Sequence, residues 1–310
     1  MVKKTYLYHF TYHETEEELA KLFFAYLFPD QMFTPFLLSY ENYDLGNWVF
    51  LHFKIEVLAQ AADLTTFTKI LRKLTIEDWY LETWHYNKSL SSKERVLITR
   101  KLAEALPTEG KMNDYALKLI WALIDDVWYL GIFTPNDYPY KKRIYRPHNF
   151  STALPVRLAN QLVNYLKALY PNHSYIDPAA GSGTIVIEGL KAGLDIRGYE
   201  LSYPCTQMAN INLTYFNLPP IIKNCDMLDT TEIYDISILD IPYGLYTPIV
   251  LAECQALIAH CKKISNILLL ISTVDYRSYL ESLDYSLILQ IPVYKAKFKR
   301  LITLAEHFTK

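Results

Sequence analysis

The 310-residue sequence is short of cysteine and glycine, with four and nine respectively, and its formal net charge is only −2. Each shortage removes a class of protein. Cys205, Cys225, Cys254 and Cys261 form no CxxC pair and no zinc-ligand spacing, so free thiols in a core are expected, as suits a reducing compartment. The eight histidines show no ligand pattern either, and no metal is expected. A near-neutral chain has no bulk attraction for nucleic acid, so any such contact must come from local basic patches. No apolar run approaches the length of a membrane span, which argues against a membrane partner. The opening MVKKTYLYHFTYHETEE turns polar before a signal-peptide core can form, and a cytoplasmic location follows by default. What the chain does have is 51% hydrophobic residues and length enough for two domains, without internal repeat or low-complexity tract.

The stretch Tyr175 to Glu188, YIDPAAGSGTIVIE, organises the rest. Strand formers run into a loop with Gly181 and Gly183, and an apolar helix follows from Thr184. Such a turn brings backbone N–H groups and a helix N-terminus close to a ligand. A dinucleotide loop begins in the same way, but Val186 stands where its third glycine belongs. A ligand-free turn is the other reading of the loop taken alone.

Residues 1–135 are predicted to form a smaller α+β domain. TYLYHFTY reads as a first strand and ETEEELAKLFFAYLF as an amphipathic helix. A second strand is predicted around Trp48 to Ile55, then a helix to about Ile70, a strand in TIEDWYLETWHYN, and a serine-capped helix in SLSSKERVLITRKLAEAL. YALKLIWALIDDVWYLGIFT reads as two strands meeting at an Asp125-Asp126 turn, with a helix as the other reading of its first half. From 136 to 149 prolines punctuate a polar linker. Its Lys141, Lys142, Arg143 and Arg146, interleaved with tyrosines, have two readings: RNA contacts to phosphates and bases, or a solvated linker.

Residues 150–310 alternate strand and helix, the pattern of an α/β doubly wound, Rossmann-like parallel sheet. STALPVRLANQLVNYLKAL begins with cap residues and is predicted to be the helix leading in. SLILQI and FKRLITLA lack a helix between them and predict an antiparallel C-terminal hairpin at a sheet edge. There Lys295, Lys297 and Lys299 are expected on one side of a strand, either as a phosphate-contacting stripe or as protection of an edge.

In such a sheet ligands bind at the carboxyl ends of the strands. An acid stands near each: Asp177, Glu200, Asp226 and Asp240. Glu200 suits a ribose diol, because a carboxylate offers several lone pairs to two neighbouring hydroxyls. Asp226 alone reads equally as a helix cap. Asp240-Ile241-Pro242-Tyr243-Gly244 leaves an acceptor and a flat ring together, which is what handling a base amine requires. A plain strand-to-turn remains the alternative for that pentapeptide by itself.

Together, DPAAGSGT, GYE, the Asp226 region and DIPYG resemble the cofactor and catalytic motifs of class I S-adenosylmethionine-dependent amino-methyltransferases. RPHNFSTALPVRLANQLVNYL running into YIDPAAGSGTIVIEG is similar, more narrowly, to tRNA guanosine-N2 methyltransferases that carry an N-terminal THUMP module. The resemblance is specific from about Trp128 to Gly244. It implies that Asp177, Gly181 and Gly183 hold the methionyl end of S-adenosyl-L-methionine, Glu200 the ribose and Asp226 the adenine. Pro178, Ala179, Ser182, Thr184, Leu201 and Met227 complete that cofactor set. It assigns Asp240, Pro242 and Tyr243 to the target base, and Thr152 and Pro155 to closing the site. The implied reaction is methyl transfer to a base exocyclic amine, first guanosine N2 of tRNA. A DNA amino-methyltransferase acting on adenine N6 or cytosine N4, or a catalytically silent RNA-binding protein, are the rivals. Two departures stand out. Ile241 replaces the first proline of the DPPY form, and residues 1–135 are short for a ferredoxin-like domain plus THUMP.

Overall fold

The aromatic opening extends as β1 (Tyr6–Phe10) and leads into α1 (Glu17–Leu27), whose first-turn glutamates suit the helix dipole. The computed structural model describes residues 3–84, 90–150, 153–241, 250–295 and 298–307. Next come β2 (Phe36–Ser39), β3 (Leu51–Ala61), α2 (Leu64–Leu71) and β4 (Trp79–Thr83). α3 (Ser92–Ala105), β5 (Leu117–Ile124) and β6 (Val127–Pro135) follow. β2 is an addition to the sequence prediction, and β3 runs six residues past the expected end at Ile55. At the start of α3, Ser91 and Glu94 form a capping box, each side chain meeting the other's backbone N–H. Asp125 and Asp126, at φ 47° and 60°, make the predicted two-residue reversal between β5 and β6. These strands form one sheet in the order β2-β1-β3-β6-β5-β4. α2 and α3 cover one face, with Phe67, Leu71, Leu102 and Trp121 in its core.

The second half builds α4 (Val156–Leu169), β7 (Ser174–Asp177), α5 (Thr184–Ala192), β8 (Asp195–Glu200), α6 (Tyr203–Tyr215) and β9 (Ile222–Asn224). Then come β10 (Tyr234–Asp240), α7 (Leu251–Ile264), β11 (Ser265–Ser272), α8 (Arg277–Ser282), β12 (Ser286–Lys295) and β13 (Phe298–Glu306). The sheet order is β12-β13-β11-β10-β7-β8-β9. β7 to β11 are parallel, and β13 pairs antiparallel with both β11 and β12. β11, in the middle of the sheet, is buried on both faces, which is why NILLLIS carries no alternation. α4 departs from expectation at its start: Pro155 is its N-cap and no side chain caps it. Proline suits that place because the missing N–H has no intrahelical partner there in any case.

The chain divides into two compact units. One holds Met1–Thr11, Leu27–Leu45 and Val49–Asp137; the other holds Tyr12–Tyr26, Gly46–Trp48 and Tyr138–Lys310. Most of α1 thus belongs with the second sheet. Its Phe23 ring stacks on Tyr165 of α4 at 5.2 Å, and Glu16 just before it accepts hydrogen bonds from Arg157 Nε and Nη2 at 3.0 and 2.9 Å. No helix among the described residues is long and apolar enough to cross a membrane.

Candidate active site

The order of the second sheet reverses between β7 and β10, so the connections leave on opposite sides and open a crevice at the carboxyl ends of those two strands. Asp177 is the last residue of β7 and Asp240 the last of β10. Asp177 is 1% exposed and accepts one backbone hydrogen bond, from Ala179 N–H at 3.3 Å. Burial pushes its carboxyl well above the usual carboxylate range; the Ala179 N–H opposes the shift, and the charges of Asp240 and Glu200 add to it.

The loop after Asp177 is held from several sides. Gly183, at φ 80°, is the N-cap of α5, and a Cβ there would lie 3.0 Å from Ile222 Cδ1. Gly181, at φ 52°, faces open space, where an added Cβ meets nothing within 4 Å. Both conformations are ones that L side chains rarely adopt. Glu200, the last residue of β8, accepts Gly181 N–H on Oε2 at 2.8 Å and Ser202 N–H on Oε1 at 2.9 Å. One carboxylate therefore ties the glycine loop to the turn entering α6, and each oxygen retains acceptor capacity. Among the described residues the Ser182 N–H has no hydrogen-bond partner and remains as a loop donor.

Pro178, Ala180, Ser182 and Thr184 are buried, while Ala179 and Gly181 are half-buried. Asp226 is an N-cap, the alternative its sequence position left open: Oδ1 accepts Leu228 N–H at 2.9 Å. Its Oδ2 has no hydrogen bond among the described residues. Met227 points the other way, 4% exposed in the core beside Leu239 and Ile241. The exposed apolar neighbours of the acids are Leu201 and Leu228, at 69% and 44%. Leu228 is the residue the sequence reading missed. The signal was there: two apolar residues after a capping acid in a short turn point to opposite sides, and only one faces inward.

Asp240 is half-buried at the sheet edge. Ile241 is 2% exposed and packs with Leu239, Cys254 and Leu268, so where the common motif has proline this chain has a core residue. Pro242, Tyr243, Thr152 and Lys297 lie outside the described residues.

The basic residues divide. Lys141 and Lys142 are exposed. Arg143 and Arg146 are directed inward, contrary to both readings of the linker. Arg143 donates through Nε and Nη2 to Glu188 of α5, both at 2.5 Å, and Asn160 adds a third bond to that carboxylate at 3.0 Å. The Glu188 side chain is 1% exposed and the Arg143 side chain 11%. A carboxylate on the buried stretch Thr184–Gly189 of α5 demands a cation, and the linker supplies it. Arg143→Ala is therefore expected to destabilise the second unit by about 3–5 kcal/mol, the usual loss when one partner of a buried pair goes. Urea unfolding checks it; a loss below about 1 kcal/mol, as at a surface pair, contradicts it. Arg146 donates to Thr184 Oγ1 at 2.8 Å and Asn149 Oδ1 at 3.0 Å.

The lysine stripe also needs correction. The chain reverses between Lys295 and Phe298, with Tyr294 opposite Lys299 and Lys295 opposite Phe298. Lys295 and Lys299 thus sit on different strands and opposite sheet faces. Among the described residues no group of three or more His, Cys, Asp or Glu is placed to hold a metal ion.

No family model matches the chain. A stretch of 121 residues is 28% identical to the tRNA (guanine(10)-N2)-dimethyltransferase of Pyrococcus abyssi. The match covers 37% of this chain and 36% of that protein, little more than a third of the relative's length. The whole chain has the fold of TrmN from Thermus thermophilus, with a TM-score of 0.52, 15% identity, and coverage of 98% of this chain and 100% of that one. The likeness is one of fold, to a Rossmann-like methyltransferase. A further likeness is to magnesium protoporphyrin IX methyltransferase from Synechocystis PCC 6803 with bound SAM, at 18% identity and a TM-score of 0.43, covering 55% of this chain and 92% of that one. The Rossmann-like methyltransferase sheet places Asp177, Glu200, Asp226 and Asp240 at the carboxyl ends of β7, β8, β9 and β10 in turn, as the sequence predicts.

Proposed function

We propose that this chain binds S-adenosyl-L-methionine at the glycine loop and transfers its methyl group to an exocyclic amine of an RNA base, guanosine N2 of tRNA before others. The observation that carries the reading is the Glu200 bridge to Gly181 N–H, with Asp177 and Asp240 at the ends of the two strands flanking the crevice. The residues fit this cofactor. Open space beyond Gly181 and the unpartnered Ser182 N–H leave room and a donor at the loop, and Asp177 offers a carboxylate to a cationic group. Glu200 retains lone pairs for a ribose diol, and Leu201, Leu228 and Asp226 present two apolar surfaces and an acceptor for an adenine.

Bound S-adenosylmethionine supplies a methyl group on a sulfonium with a good leaving thioether, so the transfer needs little acid or base help. Alignment does most of the work. Asp240 accepts hydrogen bonds from the amine, turns the nitrogen lone pair toward the electrophile and receives a proton after transfer. Tyr243 is proposed to stack on the base, and Pro242 is assigned with it to the target base. The tRNA guanosine choice rests on the Pyrococcus abyssi match and on the linker motif leading into the glycine loop. Residues 1–135, the linker 136–149 and residues 150–310 are proposed as RNA-facing domain, connector and methyltransferase domain. Lys141 and Lys142 are the linker cations left for phosphate.

Titration calorimetry with S-adenosylmethionine is expected to show saturable one-to-one binding, and unmodified tRNA is expected to exceed duplex DNA as acceptor. Absence of binding overturns the reading. Preferential transfer to DNA overturns its RNA part and supports the DNA amino-methyltransferase rival.

A further inference from the structure

Two asparagines on α6, two residues apart, make the same clamp on different targets. Asn210 donates through Nδ2 to Ile222 O at 2.8 Å and accepts Ile222 N–H on Oδ1 at 3.1 Å, which fixes β9 to the helix. Asn212, 0% exposed, accepts His148 N–H on Oδ1 at 2.9 Å and donates to His148 O at 2.8 Å. Its Nδ2 also donates to Ser182 O at 3.1 Å. Meeting both backbone groups of one residue sets the amide orientation, since only the oxygen can accept and only the nitrogen can donate.

We infer that Asn212 is a positioning residue that locks the strap 146–150 to the glycine loop, so that the loop's grip on its ligand depends on the strap. The peptide between Ser182 and Gly183 is held at both ends, its oxygen by Asn212 and its N–H by Ala180 O at 2.8 Å. A peptide plane so held keeps its direction, and with it the direction of the neighbouring loop N–H groups. Arg146 ties the same strap to Thr184, the first residue of α5, through a side chain whose burial lowers the guanidinium pKa. Strap and loop therefore share two independent connections within a few residues. Asn210, by contrast, hydrogen-bonds β9 and neither strap nor loop. Its clamp is structural only, which makes it the internal control.

The ligand part of this inference rests on the proposed cofactor, but the strap part does not, and the test separates them. Asn212→Asp keeps size and the accepted bond while removing both donated ones; Asn212→Ser removes the clamp without adding a buried charge, should the acid prevent folding. Asn210→Asp is made alongside. Hydrogen exchange without ligand is expected to quicken about tenfold or more at the amides of 148–150 and 182–184 in either Asn212 variant, roughly the loss of one to two net hydrogen bonds. S-adenosylmethionine affinity is expected to fall about tenfold in the same variants. Asn210→Asp is expected to lower the melting temperature yet leave both readouts at wild-type values. Unchanged exchange at those amides in the Asn212 variants, or an equal effect from Asn210→Asp, overturns the strap. Wild-type protein that binds no S-adenosylmethionine overturns the functional reading instead, while exchange still decides the strap.

Discussion

Asp240→Ala is expected to bind S-adenosylmethionine within a few-fold of wild type and to transfer methyl groups about 10²-fold or more slowly, the scale of losing the alignment of the reacting amine. The separation follows from placement. Asp240 ends β10, across the crevice from β7 and the glycine loop that follows it. What it contributes is alignment and an acceptor for the amine, both felt only when the acceptor base is present. Asp240→Asn should lie between, because the amide oxygen still accepts but carries no charge for the departing proton. Single-turnover transfer and equilibrium binding on the same preparations check this. Lost binding with turnover per bound complex intact would put Asp240 on the cofactor and overturn its assignment.

The second large effect concerns Asp177, whose carboxyl is buried and held in its neutral form more strongly than an ordinary aspartic acid. The sign is definite. A carboxyl with a raised folded pKa leaves the native state holding a proton that the unfolded chain has released, so stability falls as pH rises from the unfolded pKa, about 4, toward the folded one. Below about pH 4 both states are protonated and the penalty vanishes. Asp177→Asn keeps the acceptor for Ala179 N–H and removes the titration. It is expected to melt higher than wild type at neutral pH, by roughly 2–4 °C for each 1 kcal/mol relieved, with the advantage shrinking toward pH 3. At the same time it should bind S-adenosylmethionine more than tenfold more weakly, since the ligand's cationic groups meet no carboxylate. Wild-type binding should release a proton, visible as a buffer dependence of the calorimetric heat, and the variant should not. A variant that melts lower at neutral pH and binds normally would mean that Asp177 is an ordinary structural acid.

Much of the site was legible because a parallel sheet converts sequence order into place. Once β7, β8, β9 and β10 are read as parallel strands of one sheet, their carboxyl ends share an edge, and Asp177, Glu200, Asp226 and Asp240 come with them. Local chemistry was equally plain at Asp125-Asp126 and at Ser91 with Glu94, where the turn or cap is made by the residues themselves. What escaped were features decided by a partner far away in sequence. Arg143 and Arg146 looked like linker cations because their acceptors, Glu188 and Thr184, lie about 40 residues on. Lys295 and Lys299 looked like one stripe because no Gly, Pro or Asn marks the reversal between β12 and β13. β2 has four residues, too few to show a period, and its place is fixed by pairing with β1.

The most direct test is to incubate the purified chain with methyl-labelled S-adenosylmethionine and unmodified tRNA, digest the RNA and identify the labelled nucleoside by mass spectrometry. Label in N2-methylguanosine, lost in Asp240→Ala, is the predicted result. Cofactor binding with no label in any RNA nucleoside, or label that persists in Asp240→Ala, contradicts it.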